Sequence, residues 1–168
     1  KKLTQLSNVV KENLKTYLSQ FRLVTDAVNI KDAYVINIGV NFSILTKVGF
    51  NKNDVLLRCV SRVKDFFNID RWQIGQPIIL SDIAYELSLV DGVASIVPPV
   101  ENNPNKLPIL IENKYKVGDG YSGNFYNVEK SLIDGVLYTA LDPSIFEVKY
   151  PNSDIKGRVV GDNLTIGD

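Results

Sequence analysis

The sequence contains no histidine and no methionine, and it contains a single cysteine, Cys59. Histidine is the commonest general base and belongs to Ser-His-Asp and Cys-His catalytic sites and to nearly all zinc sites, so its absence excludes these classes. A lone cysteine forms no internal disulfide, which indicates a reducing compartment or a fold indifferent to redox conditions. Because not even an initiator methionine is present, we expect the sequence to be a piece of a longer chain.

Excess charge of either sign is also missing, because 19 Lys and Arg residues balance 19 Asp and Glu residues. Nucleic-acid-binding proteins draw much of their affinity from excess basic charge, which argues against a nucleic-acid partner. No apolar run approaches the roughly 18 residues of a membrane span, and no signal-peptide pattern opens the chain, so we expect no membrane partner. The 168 residues are 45% hydrophobic and 23% charged, as in a globular protein of one domain with or without an appendage.

Hydrophobic periodicity predicts the first elements of the chain. Apolar residues spaced by three and four predict an amphipathic helix over residues 3–21, which either packs on a sheet or pairs with another subunit. Residues 34–44 have an apolar side chain at every even position and, except for Val35, polar or small side chains between them, which is the strongest strand signal in the chain. A shorter strand around residues 22–30 precedes it, and the two together predict an antiparallel hairpin with one buried face.

Helices and strands then follow one another without a regular βαβ repeat. A second helix, capped by Asn51 or Asn53, carries a broad apolar stripe that includes Cys59 and ends near residue 68. Residues 78–80 predict a short extended segment, a short helix follows to about residue 90, and residues 93–97 predict a strand. This order predicts an α+β fold in which helices pack on a mainly antiparallel sheet.

The amino-acid composition of the sequence changes after residue 100. Residues 101–106 are polar, and glycine and proline interrupt the remainder of the chain. Because proline in sheets is confined to edges and strand starts, we predict at most edge-forming β structure there. The sequence therefore divides into a compact α+β body over residues 1–100 and an irregular, β-rich extension or arm over residues 101–168.

Aromatic side chains gather around the glycines of the extension, between Tyr115 and Tyr126. Such a loop anchors a subunit contact, packs locally, or binds a ligand such as a carbohydrate or a peptide. A short strand near Ile145–Tyr150 suggests strand pairing with a second copy across a two-fold axis. The residues that we predict to form an interface are Tyr121, Phe125, Tyr126, Ile145, Phe146, Val148 and Tyr150.

No set of residues predicts catalysis, metal binding or a cofactor. The carboxylates of the extension include Asp134, Asp142, Glu147 and Asp154, and no spacing places two of these together as a glycosidase requires. Cys59 lies on the apolar side of a helix, where a thiol behaves as a small hydrophobe. We therefore expect a protein that is not an enzyme and that has no cofactor.

Several stretches, taken in order, resemble the C-terminal part of the T4-like phage baseplate wedge subunit, of the wider baseplate J-like family. The likeness runs through most of the chain and depends on the number and order of the stretches, since none is a chemical signature. The stretches span residues 15–22, 25–30, 35–40, 66–70, 76–83 and 141–149.

The resemblance implies a structural subunit without catalytic residues. A protein of this family pairs with itself, as a homodimer within the inner ring of a contractile-tail baseplate, and it binds other baseplate wedge proteins. It shifts during the rearrangement that triggers sheath contraction. The resemblance therefore implies a virion protein of the tail baseplate, assembled in the cytoplasm of the host bacterium. The alternative from the residues alone is a small carbohydrate- or peptide-binding module that uses the Tyr115–Tyr126 loop.

Overall fold

The computed structural model describes residues 1–21, 28–98, 107–139, 143–161 and 165–167. Helices α1 (Asn8–Ser19), α2 (Lys52–Phe66) and α3 (Leu80–Ser88) lie in the first half of the described chain, and the short helices α4 (Val128–Ser131) and α5 (Pro151–Asp154) lie in the second. The strands are β1 (Tyr34–Thr46), β2 (Ile78–Ile79), β3 (Val93–Val97), β4 (Ile109–Asn113), β5 (Leu132–Ile133), β6 (Val136–Leu137), β7 (Ser144–Glu147), β8 (Ile155–Val159) and β9 (Thr165–Ile166). Val117–Asp119 form a 3₁₀ turn.

The long strand β1 is the axis of the larger sheet. One of its edges pairs antiparallel with β4 and then β3, and the other edge pairs in parallel with β7 and then β8. Strand β9 adds to β8, and β2, β6 and β5 form a separate small sheet. Helices and sheets with mostly antiparallel pairing confirm the predicted α+β class.

The alternation along β1 determines where the core lies. Its apolar residues share one core with the stripes of α2 and α3, of which α2 packs on β1 and β8 and α3 packs on β3 and β4. The opposite face of β1 is also mostly buried, because the Tyr115–Tyr126 loop and the segment around Asp154 lie over it. The buried core residues of β1 and α2 are Ile36, Ile38, Val40, Phe42, Ile44, Val55, Leu56, Cys59, Val60 and Val63.

Several predicted elements are confirmed at or near their expected bounds. Strand β1 extends two residues beyond the alternating run, and Asn51 caps α2 by accepting hydrogen bonds from the backbone N–H groups of Asn53 and Asp54. The short helix α3 begins at Leu80 rather than after it. Strand β3 has the predicted bounds.

The predicted hairpin partner of β1 does not form in the described part of the chain. Residues 22–27 lie outside the described residues, and residues 28–30 contain no strand. The antiparallel partners of β1 are β3 and β4, which come much later in the chain. The predicted hairpin had one buried face, whereas both faces of β1 are mostly buried, because the Tyr115–Tyr126 loop covers the second.

Strands from both parts of the predicted division share the larger sheet. The boundary at residue 100 and the polar run 101–106 lie outside the described residues, but β4, β7, β8 and β9 all follow that boundary. Two of them pair with β1 in parallel, β7 along Tyr34–Asn37 and β8 along Val40–Ile44. The body over residues 1–100 therefore shares its main sheet with strands of the extension.

Candidate functional site

The Tyr115–Tyr126 loop lies on β1 and is held there by side-chain amides. The buried Asn37 accepts a hydrogen bond through Oδ1 from the backbone N–H of Ser122, at 2.9 Å. Asn124 Nδ2 and Ser122 Oγ both donate to the backbone carbonyl of Val35, at 2.8 and 2.9 Å. These bonds fix the backbone of the loop to the sheet, so its aromatic side chains project from a rigid support.

Asn113, at the end of β4, holds the C-terminal end of the Tyr115–Tyr126 loop by a hydrogen bond. Its Oδ1 accepts from the backbone N–H of Tyr126 at 2.8 Å, and its Nδ2 donates to the carbonyl of Asn37 at 3.0 Å. We missed both asparagines in the sequence, because polar residues alternating along a strand indicate only a solvated face. Their importance arises from contacts distant in sequence, for which the local pattern contains no signal.

Glu147, at the end of β7, is a buried carboxylate whose two oxygens are both bonded within the chain. Oε1 accepts from Asn37 Nδ2 at 2.8 Å, and Oε2 accepts from the backbone N–H of Leu3 at 2.6 Å. Hydrogen bonds offset the cost of burying a charge. Glu147 therefore joins the N-terminal segment to the same network that holds the loop.

Asp154 is the second buried carboxylate among the four that the sequence singled out. It accepts from Tyr121 Oη at 2.6 Å and from the backbone N–H of Tyr150 at 3.3 Å. The rings of Tyr121 and Tyr150 meet edge to face, with centroids 5.4 Å apart. Asp134 is exposed in the β5–β6 turn, and Asp142 lies outside the described residues. Both buried carboxylates hold the fold together through these bonds.

Two interactions raise the pKa of the Tyr121 hydroxyl above its ordinary value. Burial raises the pKa of Tyr121, and the hydrogen bond to the Asp154 carboxylate raises it further. A tyrosine whose pKa is higher in the folded state than in the unfolded state, where it is about 10, stabilises the folded state below about pH 10. This stabilisation is lost as the pH rises above about 10 towards the pKa of the folded state.

We therefore predict that the unfolding midpoint in urea falls above about pH 10 and that Tyr121→Phe makes this fall shallower. The substitution also leaves Asp154 with only one backbone partner, so at pH 7 it costs about 1–2 kcal/mol. Urea titrations of both chains at pH 7 and at pH 10.5 measure the two effects. Tyr115→Phe is the matched control, since the Tyr115 ring lies on the exposed side of the loop. An equal fall for wild type and Tyr121→Phe would contradict the assignment.

Four of the seven predicted interface residues belong to the core of this chain. Ile145, Phe146 and Val148 are buried in or next to β7, and the ring of Tyr126 packs edge to face on Phe146. The hydroxyl of Tyr126 donates to the carbonyl of Tyr138, and burial raises the pKa of Tyr126. These side chains are therefore closed to a partner, because β7 is buried along its length beside β1 and presents no exposed strand.

The remaining three predicted residues differ in exposure. Phe125 is 61% exposed, and its ring meets that of the half-exposed Tyr115 edge to face at 5.3 Å. Tyr121 and Tyr150 are half-buried around Asp154, and Lys2 Nζ lies 4.2 Å from the centroid of the Tyr150 ring. The exposed aromatic surface of the loop is therefore formed by Tyr115 and Phe125.

An apolar groove of about 690 Å³ opens beside this aromatic pair. We call it the β4 groove, since β4 forms one side of it; its other walls include residues of α4 and β5 and the pair Tyr115 and Phe125. Leu110, Val128 and Leu132 line it and are only partly buried. Its size falls in the range of about 300–1,000 Å³ that is usual for binding pockets.

Helix α1 presents a second apolar surface, which we call the α1 stripe. None of the residues of α1 is buried. Its attachment to the rest of the chain includes the ion pair between Lys11 Nζ and Asp32, at 2.6 Å, beside the N-cap Ser7. The predicted packing of this helix on a sheet is wrong. The stripe consists of Val10, Leu14, Tyr17, Leu18 and Phe21, which are 40–73% exposed.

The remaining candidate groups are the single cysteine and the scattered carboxylates of the described residues. Cys59 is completely buried, as its place on α2 predicts, and burial raises the pKa of its thiol to about 12. Within the described ranges, no three Asp, Glu or Cys side chains are grouped as a metal ion would need. None of the helices in this part of the chain has the length and apolar character to cross a bilayer.

Comparison of the chain with protein-family models and with curated proteins finds no significant match.

Proposed function

We propose that this chain is a structural assembly subunit of a contractile phage tail baseplate, within its wedge or inner ring. It associates with copies of itself and with other wedge proteins in the virion, and it moves with the baseplate rearrangement that leads to sheath contraction. The ordered sequence stretches that resemble the baseplate wedge subunit support the type of assembly. The α1 stripe supports the association itself.

The α1 stripe is the observation that carries the proposal. Isolated helices shorter than about 12–15 residues are marginal in water, and most helices in proteins are stabilised by burying an apolar face. Helix α1 has 12 residues and buries none of them, whereas α2 and α3 each bury several. Residues of the stripe recur at the spacing by which amphipathic helices dock on a partner. A partner that covers the stripe supplies the missing stabilisation.

The sheet suits a subunit that transmits force. Strand β1 is paired along both edges, and amide networks fasten the Tyr115–Tyr126 loop and the N-terminal segment to it. Close-packed interiors deform little and transmit strain. A displacement applied to β1 would therefore move its paired strands and the attached loop as one unit.

Self-association is tested by the solution mass of the 168-residue chain, measured by light scattering over a range of concentrations. We expect a discrete dimer or larger closed oligomer. Leu14→Glu places a charge in the middle of the α1 stripe, so we expect it to weaken self-association by at least about tenfold. Circular dichroism of the same samples checks that the fold is retained.

The matched control is Thr16→Glu, which places the same charge two residues later on the face of α1 opposite the stripe. We expect Thr16→Glu to associate like wild type. A wild-type chain that stays monomeric at every concentration would contradict the proposal, as would equal masses for wild type and Leu14→Glu.

A further inference from the structure

Two apolar surfaces of the described chain lack a cover, and they have complementary shapes. The α1 stripe is convex and helical, and the β4 groove is concave and lined by apolar side chains. An amphipathic helix that lays its apolar face in a hydrophobic groove is a recurrent mode of protein recognition. At 1.5 Å per residue, the 12 residues of α1 extend about 18 Å, which is enough for three turns in contact.

We infer that the β4 groove of one copy holds the α1 stripe of a second copy. This inference rests on the proposed self-association and names the surfaces that meet. Leu14 and Leu18 enter the groove between Leu132 and the aromatic rim. The exposed ring of Phe125 closes over the helix, as large rigid side chains do at the centre of interfaces.

The charges beside the two surfaces favour this pairing over the pairing of α1 with itself. Lys15 follows Leu14, and among the described residues it forms no ion pair. Glu129 lies on α4 at the rim of the groove, is exposed and also forms no ion pair with the described residues. Opposite charges at a rim select partner and register. Two α1 helices would instead bring lysines to the same seam, with Glu12 as the single acid of the helix.

The pairing joins two different surfaces of the chain, which constrains the assembly. If two copies exchange their helices reciprocally, the result is a closed dimer with a two-fold axis. If each copy passes its helix to the next, the result is a ring or a filament. The measured mass distinguishes these arrangements, and the inference holds for both.

A charge exchange between separate chains tests the inference. Lys15→Glu brings two acids together in a self-assembly, and Glu129→Lys brings two lysines together. We expect each variant alone to associate about tenfold more weakly than wild type, since like charges at an interface are repulsive. When the two variants are mixed, every contact between unlike chains regains opposite charges, and we expect these mixed complexes to associate within about twofold of wild type. Both positions are exposed, so the fold is retained.

Phe125→Ser supplies a second readout, because it removes the groove's aromatic rim without touching α1; we expect it to weaken association as well. If wild type associates but Glu129→Lys and Phe125→Ser leave the mass unchanged, α1 docks elsewhere and the inference is overturned while the proposed function stands. A wild-type chain that never associates overturns both. Failure of the mixed variants to regain association also overturns the inference.

Discussion

Replacing Asn37 by alanine is expected to lower the free energy of unfolding by about 3–5 kcal/mol, through the loss of hydrogen bonds to a buried carboxylate and a backbone N–H. The Asn37 side chain donates one hydrogen bond, to Glu147, and accepts another, from the backbone N–H of Ser122. Alanine supplies neither. The Glu147 carboxylate then keeps only the N–H of Leu3, and burying a poorly solvated charge is costly. Urea denaturation followed by fluorescence measures the loss, which corresponds to a Tm lower by roughly 10 °C in a chain of this size.

Asn41→Ala is the matched control for Asn37→Ala. Asn41 is on the same strand and the same face, but its amide donates to Glu112 at 3.0 Å in an exposed contact. We expect a cost below about 1 kcal/mol, because water replaces an exposed partner. Removing both partners with Asn37→Ala and Glu147→Leu should cost less than the sum of the single changes, since contacting residues are coupled. Equal losses for Asn37→Ala and Asn41→Ala would show that the buried network contributes little.

The local elements were the predictable part of this structure. The period-two pattern from Tyr34 to Ile44 predicts a strand, and the stripe of α2, with a cap at Asn51 or Asn53, predicts a helix. Both signals are read within a window of about 15 residues. The buried position of Cys59 follows directly from that stripe.

The pairing between distant segments was not predictable from these patterns. Parallel pairing of β7 and β8 with β1 joins residues more than 100 positions apart, and short strands of four or five residues carry little periodicity. Their pairing with β1 buried Ile145 and Phe146, which the sequence had suggested for an interface. An amphipathic stripe shows that a helix has a face to cover but not what covers it. For this reason the sequence of α1 leaves two alternatives, packing on a sheet and pairing with another subunit.

Gly157→Ala is expected to destabilise the fold by about 2–3 kcal/mol, which is large for the addition of one methyl group. Gly157 pairs with Phe42 between β8 and β1, and the ring of Phe42 occupies the space that a side chain would fill. A Cβ atom there would lie 2.6 Å from Phe42 Cζ and 2.8 Å from Leu56 Cδ1. Both neighbours are buried in a close-packed core, so neither moves without straining others. Chemical denaturation of the purified variant measures the loss.

We expect the effect of Gly157→Ala to arise from a steric clash rather than from backbone conformation. Two further variants separate these causes. Gly118→Ala makes the same change where a Cβ would meet nothing within 4 Å, so it should be nearly neutral. Phe42→Leu shortens the side chain that a Cβ at position 157 would strike, so in the double variant the two changes should cost less together than their sum. Strict additivity, or a loss at Gly118 as large as at Gly157, would show that the alanine acts on the backbone instead. A coupled result would place the contact of Phe42 with Gly157 at the centre of the β1–β8 pairing, through which strands from both ends of the chain share one core.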